Sequence, residues 1–123
     1  MLVFIGLGLH DEKDLTLRGR EEARSCDLLF MEEYTSFLSG AGKDKIEAAI
    51  GRGIQLLDRR DVEEREEIIL GPAQNKKVGF LIPGDPLIST THIALRLRAS
   101  ELGIANKVVH NASIHSAAPS ESG

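Results

Sequence analysis

The sequence predicts an α/β fold: a three-layer, mostly parallel five-stranded sheet flanked by helices. Five short apolar runs recur along the chain, each parted from the next by a segment with helical spacing, and such alternation packs as a parallel sheet with right-handed crossovers. With 123 residues, 41% of them apolar and 28% charged, the chain can bury one core and is too short for two.

Residues 1 to 8, MLVFIGLG, form an apolar, β-branched run that ends on glycines and predicts a buried first strand. A loop through His10, Asp11, Glu12, Lys13 and Asp14 follows. Thr16 then caps a helix on which Gly19, Ala23 and Cys26 share one face. Leu28 to Met31 predict the second strand. After the breaker Ser39-Gly40-Ala41-Gly42, the segment KDKIEAAI sets Ile46, Ala49 and Ile50 on one helical side.

Ile54 to Leu57 read as a short third strand. The stretch DRRDVEEREEI that follows pairs opposite charges four residues apart, Arg59 with Glu63 and Asp61 with Arg65, as a solvated helix face does. Lys77 to Ile82 predict the fourth strand. Thr90 or Thr91 caps a helix that runs to about Leu102, with apolar residues on two sides (Ile93 and Leu97; Leu95, Ala99 and Leu102), as expected of a helix covered by the sheet and by a neighbour. Gly103 closes it, and Lys107 to Val109 give the fifth strand.

Composition removes several function classes. A net charge of −4 with scattered basic residues does not suit a nucleic-acid surface. The opening apolar run has no basic flank and meets charge at Asp11, too soon for a signal peptide or a membrane span. A single cysteine, Cys26, reads as a small core residue in a reducing compartment, so a cytoplasmic protein is expected. His10, His92, His110 and His115 lack metal-ligand spacing and read as surface or satisfied histidines; no metal is expected. Asn111-Ala112-Ser113 matches the glycosylation pattern, which is discounted without a secretory signal.

Ligands of open parallel sheets gather outside the carboxyl ends of the strands. Three segments arrive there: Gly6-Leu7-Gly8-Leu9, Pro83-Gly84-Asp85-Pro86 and Asn111-Ala112-Ser113-Ile114. The first suggests a dinucleotide fingerprint, but Asp11 stands where the third glycine belongs and its carboxylate would repel a pyrophosphate, so a tight turn explains the glycines better. In the second, two prolines fix φ on either side and present Asp85 in a defined orientation, as a turn with a capping aspartate or as a rigid acceptor for a ligand. The hydroxyls of Thr90 and Thr91 are caps first and ligand groups second.

Taken in order, IGLGLHDEKDLTLRG, EEYTS after the second strand, PGDPLISTTH after the fourth and HNASI after the fifth make the chain similar to the amino-terminal half of the diphthine synthase family, within the larger group of tetrapyrrole-methylase-fold enzymes. The resemblance covers essentially the whole chain. It implies an S-adenosylmethionine-dependent methyltransferase of diphthamide biosynthesis, acting on the modified histidine of translation elongation factor 2, homodimeric, with the cofactor in a cleft between two α/β domains. It further implies cofactor contacts at Leu9, Asp85, Ile88, Ser113 and Ile114. Residues 1–116 would be the first such domain and 117–123 a linker or disordered tail, so that the chain alone would be inactive.

The chemistry asks little of acids and bases, because a sulfonium already carries a good leaving group and rate comes from alignment and exclusion of water. No catalytic residue is singled out. Asp11, Glu32 and Glu33 read as surface or loop residues. Two other readings stay open: a corrin or porphyrin precursor methyltransferase of the same fold, and a non-catalytic dimerising module that uses an exposed apolar face.

Overall fold

The computed structural model describes residues 1–8, 12–32, 42–82, 86 and 90–111, without the side chains of Glu12, Thr90 and Thr91. The first run becomes strand β1 (Leu2–Gly6), every residue of it buried. A short 3-10 turn at Glu12–Asp14 leads to helix α1 (Leu17–Ser25), whose cap is the predicted Thr16: its Oγ1 accepts from the Gly19 amide at 2.9 Å. Strand β2 (Leu28–Glu32) follows, then helix α2 (Lys43–Ile50) and strand β3 (Gln55–Leu57), with Ile54 buried just ahead of it.

The charged stretch differs from the single solvated helix expected of it. Helix α3 (Arg59–Glu64) opens on a capping box between Asp58 and Asp61 and stops at Arg65; helix α4 (Glu67–Ala73) then buries Ile69, Leu70 and Ala73 against the sheet. The predicted pair Arg59–Glu63 forms at 2.8 Å, and Asp61 lies 3.9 Å from Arg65. Strand β4 (Val78–Ile82), helix α5 (Thr90–Glu101) and strand β5 (Asn106–Val109) complete the described elements, and α5 ends where expected, with Gly103 at φ +74°.

All five strands are parallel, in the order β3-β2-β4-β1-β5. Strand alternation divides the core into two layers. On one face Leu2, Phe4, Phe30, Phe80 and Ile82 meet Val62, Ile69, Leu70, Leu95 and Ala99 from α3, α4 and α5. Phe4 and Phe80 stack at its centre, ring centroids 6.4 Å apart. On the other face Val3, Ile5, Leu29, Met31 and Leu81 meet Ala23, Ile46 and Ile50 from α1 and α2. Cys26 is a core residue, 1% exposed, and burial pushes its thiol pKa up. Gly79 of β4 permits this packing: a Cβ there would stand 2.7 Å from Leu29 Cδ2 and 3.0 Å from Cys26 Sγ.

Helix α5 is covered on one side only. Leu95 and Ala99 are buried, whereas Leu97 is 60% exposed and Ile93 38%, so the neighbour expected on their side is not among the described residues.

At the amino-terminal edge of the sheet Glu22 of α1 bridges Lys107 of β5 and, at 2.9 Å, Lys77 just before β4. The Lys107 hydrogen bond, more than the Lys77 contact, holds the Glu22 carboxyl below its usual 4.5, against a smaller opposing effect of burial. A lowered folded-state pKa means stabilisation that is present above the unfolded value and is lost as pH falls through the folded one. Glu22→Gln is therefore expected to cost about 1 kcal/mol at pH 7 in urea unfolding, since both lysines are partly solvated. That difference should shrink progressively below pH 4.5. An equal deficit at pH 7 and at pH 3 would contradict this role.

Candidate functional site

Strand β1 lies between β4 and β5, so the three strand ends singled out in the sequence are neighbours at one edge of the sheet. The ladder continues past the strands: the Leu7 amide donates to the Ile82 carbonyl at 2.8 Å. Leu7 and Ile82 are both buried, which gives this edge an apolar floor.

The turn after β1 is built on Gly8, at φ +83°, a left-handed conformation that side chains resist. Space is closed there as well, since a Cβ would stand 2.6 Å from Asp14 Cβ and 3.3 Å from Asn111 Nδ2. Asn111 follows β5 closely, and its carboxamide donates to the Gly6 carbonyl at 3.2 Å and to the Asp14 carbonyl at 2.9 Å. One side chain thus ties the end of β1, the 3-10 turn and the end of β5 into a unit. Sequence reasoning placed Asn111 in a strand-end segment and in a discounted glycosylation match, but gave its side chain no role. The usable signal was an Asn directly after a strand, a residue able to donate twice to backbone carbonyls of adjoining loops.

After Gly8 the chain enters the 3-10 turn, and α1 begins only at Leu17. A pyrophosphate site needs a helix N-terminus directly after its glycine turn. The 3-10 turn and the late start of α1 therefore do not match a dinucleotide cradle. Backbone acceptors and donors at adjoining strand ends above an apolar floor fit an uncharged nucleoside group better.

The expected cofactor contacts Leu9, Asp85, Ile88, Ser113 and Ile114 lie outside the described residues, as do Asp11, Glu33, His10 and His115. Pro86 is buried in a turn between β4 and α5. The strand ends preceding the five contacts (Gly6 to Gly8, Ile82, and Val109 to Asn111) are those that the sheet sets side by side.

Glu32 corrects the sequence reading. It was expected at the surface or in a loop, yet it is the last residue of β2 and only 3% exposed. The reason is the strand's alternation, which turns Glu32 to the same face as Phe30 and under α5. There its Oε2 lies 3.3 Å from Nε2 of His92, itself 2% exposed; the His92 ring meets Phe80 edge-on, centroids 5.5 Å apart. His92 is thus a buried histidine paired through Nε2 with a carboxylate, not a surface one. A Glu that ends an apolar strand, with a His early in a later helix, was the signal for the pair, but their meeting depends on β2 lying beside β4.

A groove of about 380 Å³ runs along α5 from Ile93 past Arg96 and Leu97 to Ser100, with Asn106 of β5 beside it. Asn106 pairs with Leu2, the first residue of β1, so that side of the groove lies at the amino ends of the strands.

Known proteins agree with this architecture. A diphthine synthase of Methanosarcina mazei is 50% identical over 117 residues, 95% of this chain and 44% of the relative. One of Halorubrum lacusprofundi is 49% identical over 123 residues, all of this chain and 46% of the relative. The chain thus spans less than half the length of these curated relatives. A solved structure of diphthine synthase superposes with a TM-score of 0.84 at 37% identity, covering 92% of this chain and 45% of the other. The profile of the tetrapyrrole (corrin/porphyrin) methylases matches residues 1–123. Its reach over every strand and every strand-end turn described above leaves no part of the fold unaccounted for, and the chain belongs to that family.

Proposed function

We propose that this chain forms the cofactor-binding first half of a diphthine synthase, a cytoplasmic enzyme that methylates the modified histidine of elongation factor 2. The observation that carries the proposal is the junction of three strand ends, β4, β1 and β5, at one edge with Asn111 binding two of them together. Its likeness to relatives named diphthine synthase supports the choice of acceptor.

In this reading Leu9, Asp85, Ile88, Ser113 and Ile114 hold S-adenosylmethionine. Asp85, between prolines, accepts from a donor of the cofactor; Leu9 and Ile88 cover apolar surface; Ser113 and Ile114 complete the side above β5. When bound, the cofactor supplies a methyl group on a sulfonium whose leaving group is a neutral thioether. The contribution of the chain is alignment and exclusion of water, with no residue required as acid or base. Matched relatives are about twice as long, so the remainder of the cleft and the acceptor surface are assigned to a second unit, and 1–123 alone binds the cofactor without turnover.

Transfer of labelled methyl groups tests this directly. The chain joined to the carboxyl-terminal half of the Methanosarcina mazei relative should methylate elongation factor 2 bearing the aminocarboxypropyl histidine and leave a porphyrin precursor untouched. Methylation of the tetrapyrrole alone, or of neither, would overturn the assignment. The exposed Ile93 and Leu97 side of α5 favours a second reading, a dimerising module. Dimerisation in sedimentation equilibrium with no affinity for S-adenosylhomocysteine would establish that reading instead; a homodimer that also binds the cofactor agrees with the enzyme.

A further inference from the structure

Among the described residues Glu32 and His92 are the buried polar pair of a core face that is otherwise apolar. A carboxylate in such a place is tolerated only with a close polar partner, and pairs of this kind are weak contributors to stability, since apolar residues of similar volume often do as well. Their position is more informative than their energy. Strands β2 and β4 are neighbours whose onward connections part company: β2 leads to β3 at one edge of the sheet, β4 across to β5 at the other. In open α/β sheets ligand crevices form where neighbouring connections diverge in this way.

Glu32 is the last residue of the first of these strands, and His92 stands in the first turn of the helix that the second one feeds. Their 3.3 Å contact therefore crosses the point of divergence, and Phe80 of β4 fixes the plane of the imidazole from beneath. We propose that Glu32 and His92 are a positioning pair: they pin the first turn of α5 to the end of β2 and so set the direction in which the chain leaves β4 toward the cofactor edge. As a statement about cofactor binding, this rests on the adenosyl reading above.

Stability, affinity for S-adenosylhomocysteine and amide exchange in α5 separate this role from a merely structural one. The double replacement Glu32→Leu with His92→Leu should unfold in urea near the wild-type midpoint, because the pair is exchanged for apolar packing. It should nevertheless bind S-adenosylhomocysteine about tenfold more weakly, as expected when the competent arrangement falls to about a tenth of the population. The amides of Ala94, Leu95 and Arg96 should exchange faster by a similar factor, with Leu81 unchanged. Glu32→Gln keeps a hydrogen-bonding partner for Nε2 in either tautomer and should stay within about threefold of wild type in both assays. Should that variant fail to fold, Glu32→Met with His92→Phe takes its place, keeping a ring against Phe80, removing the bond and leaving no lone carboxylate in the core. Wild-type affinity and exchange in the variant lacking the bond would overturn the proposal. If the wild-type chain binds no S-adenosylhomocysteine, the adenosyl reading falls, and the exchange rates alone decide on the pair: faster exchange supports it, unchanged exchange refutes it.

Discussion

Replacing Asp85 by alanine is expected to weaken S-adenosylhomocysteine binding by about 10- to 100-fold, the range set by the loss of one hydrogen bond to an ionised acceptor. The residue lies between Pro83-Gly84 and Pro86, and Pro86 is buried in its turn. With φ fixed at both prolines, little rearrangement can bring another acceptor to the same place. The effect should be confined to binding, with the urea midpoint held. Asp85→Asn keeps an acceptor oxygen without the charge and should fall between the two. Calorimetric titration checks the series, and unchanged affinity in the alanine variant would remove Asp85 from the site.

The largest expected effect on the fold is at Gly8. Alanine there meets a positive φ and a 2.6 Å approach to Asp14 Cβ together, and its methyl crowds the Asn111 carboxamide at 3.3 Å. Left-handed strain and overpacking of this kind cost roughly 2 to 4 kcal/mol in sum. The donations of Asn111 to Gly6 and Asp14 would be disturbed by the same methyl, so cofactor affinity should fall along with stability. Asn111→Ala, which removes the tether and leaves the turn unstrained, should lower stability by only about 1 kcal/mol while still weakening binding. A Gly8→Ala protein within about 0.5 kcal/mol of wild type in urea unfolding would contradict the account of this turn.

These predictions draw unequally on sequence and structure. Strands β1 and β4 are legible because five consecutive buried residues leave an unbroken apolar run. Thr16 and Gly103 are legible because a cap is a local event, decided by residues within one turn. Helix α4 was missed: Ile69, Leu70 and Ala73 gain enough from packing under the sheet to carry the helix through Gly71 and Pro72. The break at Arg65 escaped for the converse reason, since charges spaced by four run on past it without interruption.

The candidate site divides in the same way. That three turns occupy strand ends follows from periodicity; that β1 is central to them depends on strand order, which no local pattern encodes. Glu32 shows the limit most clearly. A glutamate that ends an apolar strand looks like the start of a loop, and only the placement of α5 over that face makes it a buried partner of His92. Asn111 was hidden similarly, because its two acceptors lie some hundred residues earlier in the chain.

Amide chemical shifts followed during titration with S-adenosylhomocysteine test the location of the site most directly. The account predicts shifts at Gly6, Leu7, Gly8, His110 and Asn111, and silence at Lys77, Ser100 and Asn106 at the far end of the sheet. Shifts gathered along the groove between α5 and β5, or none at saturating ligand, would contradict it.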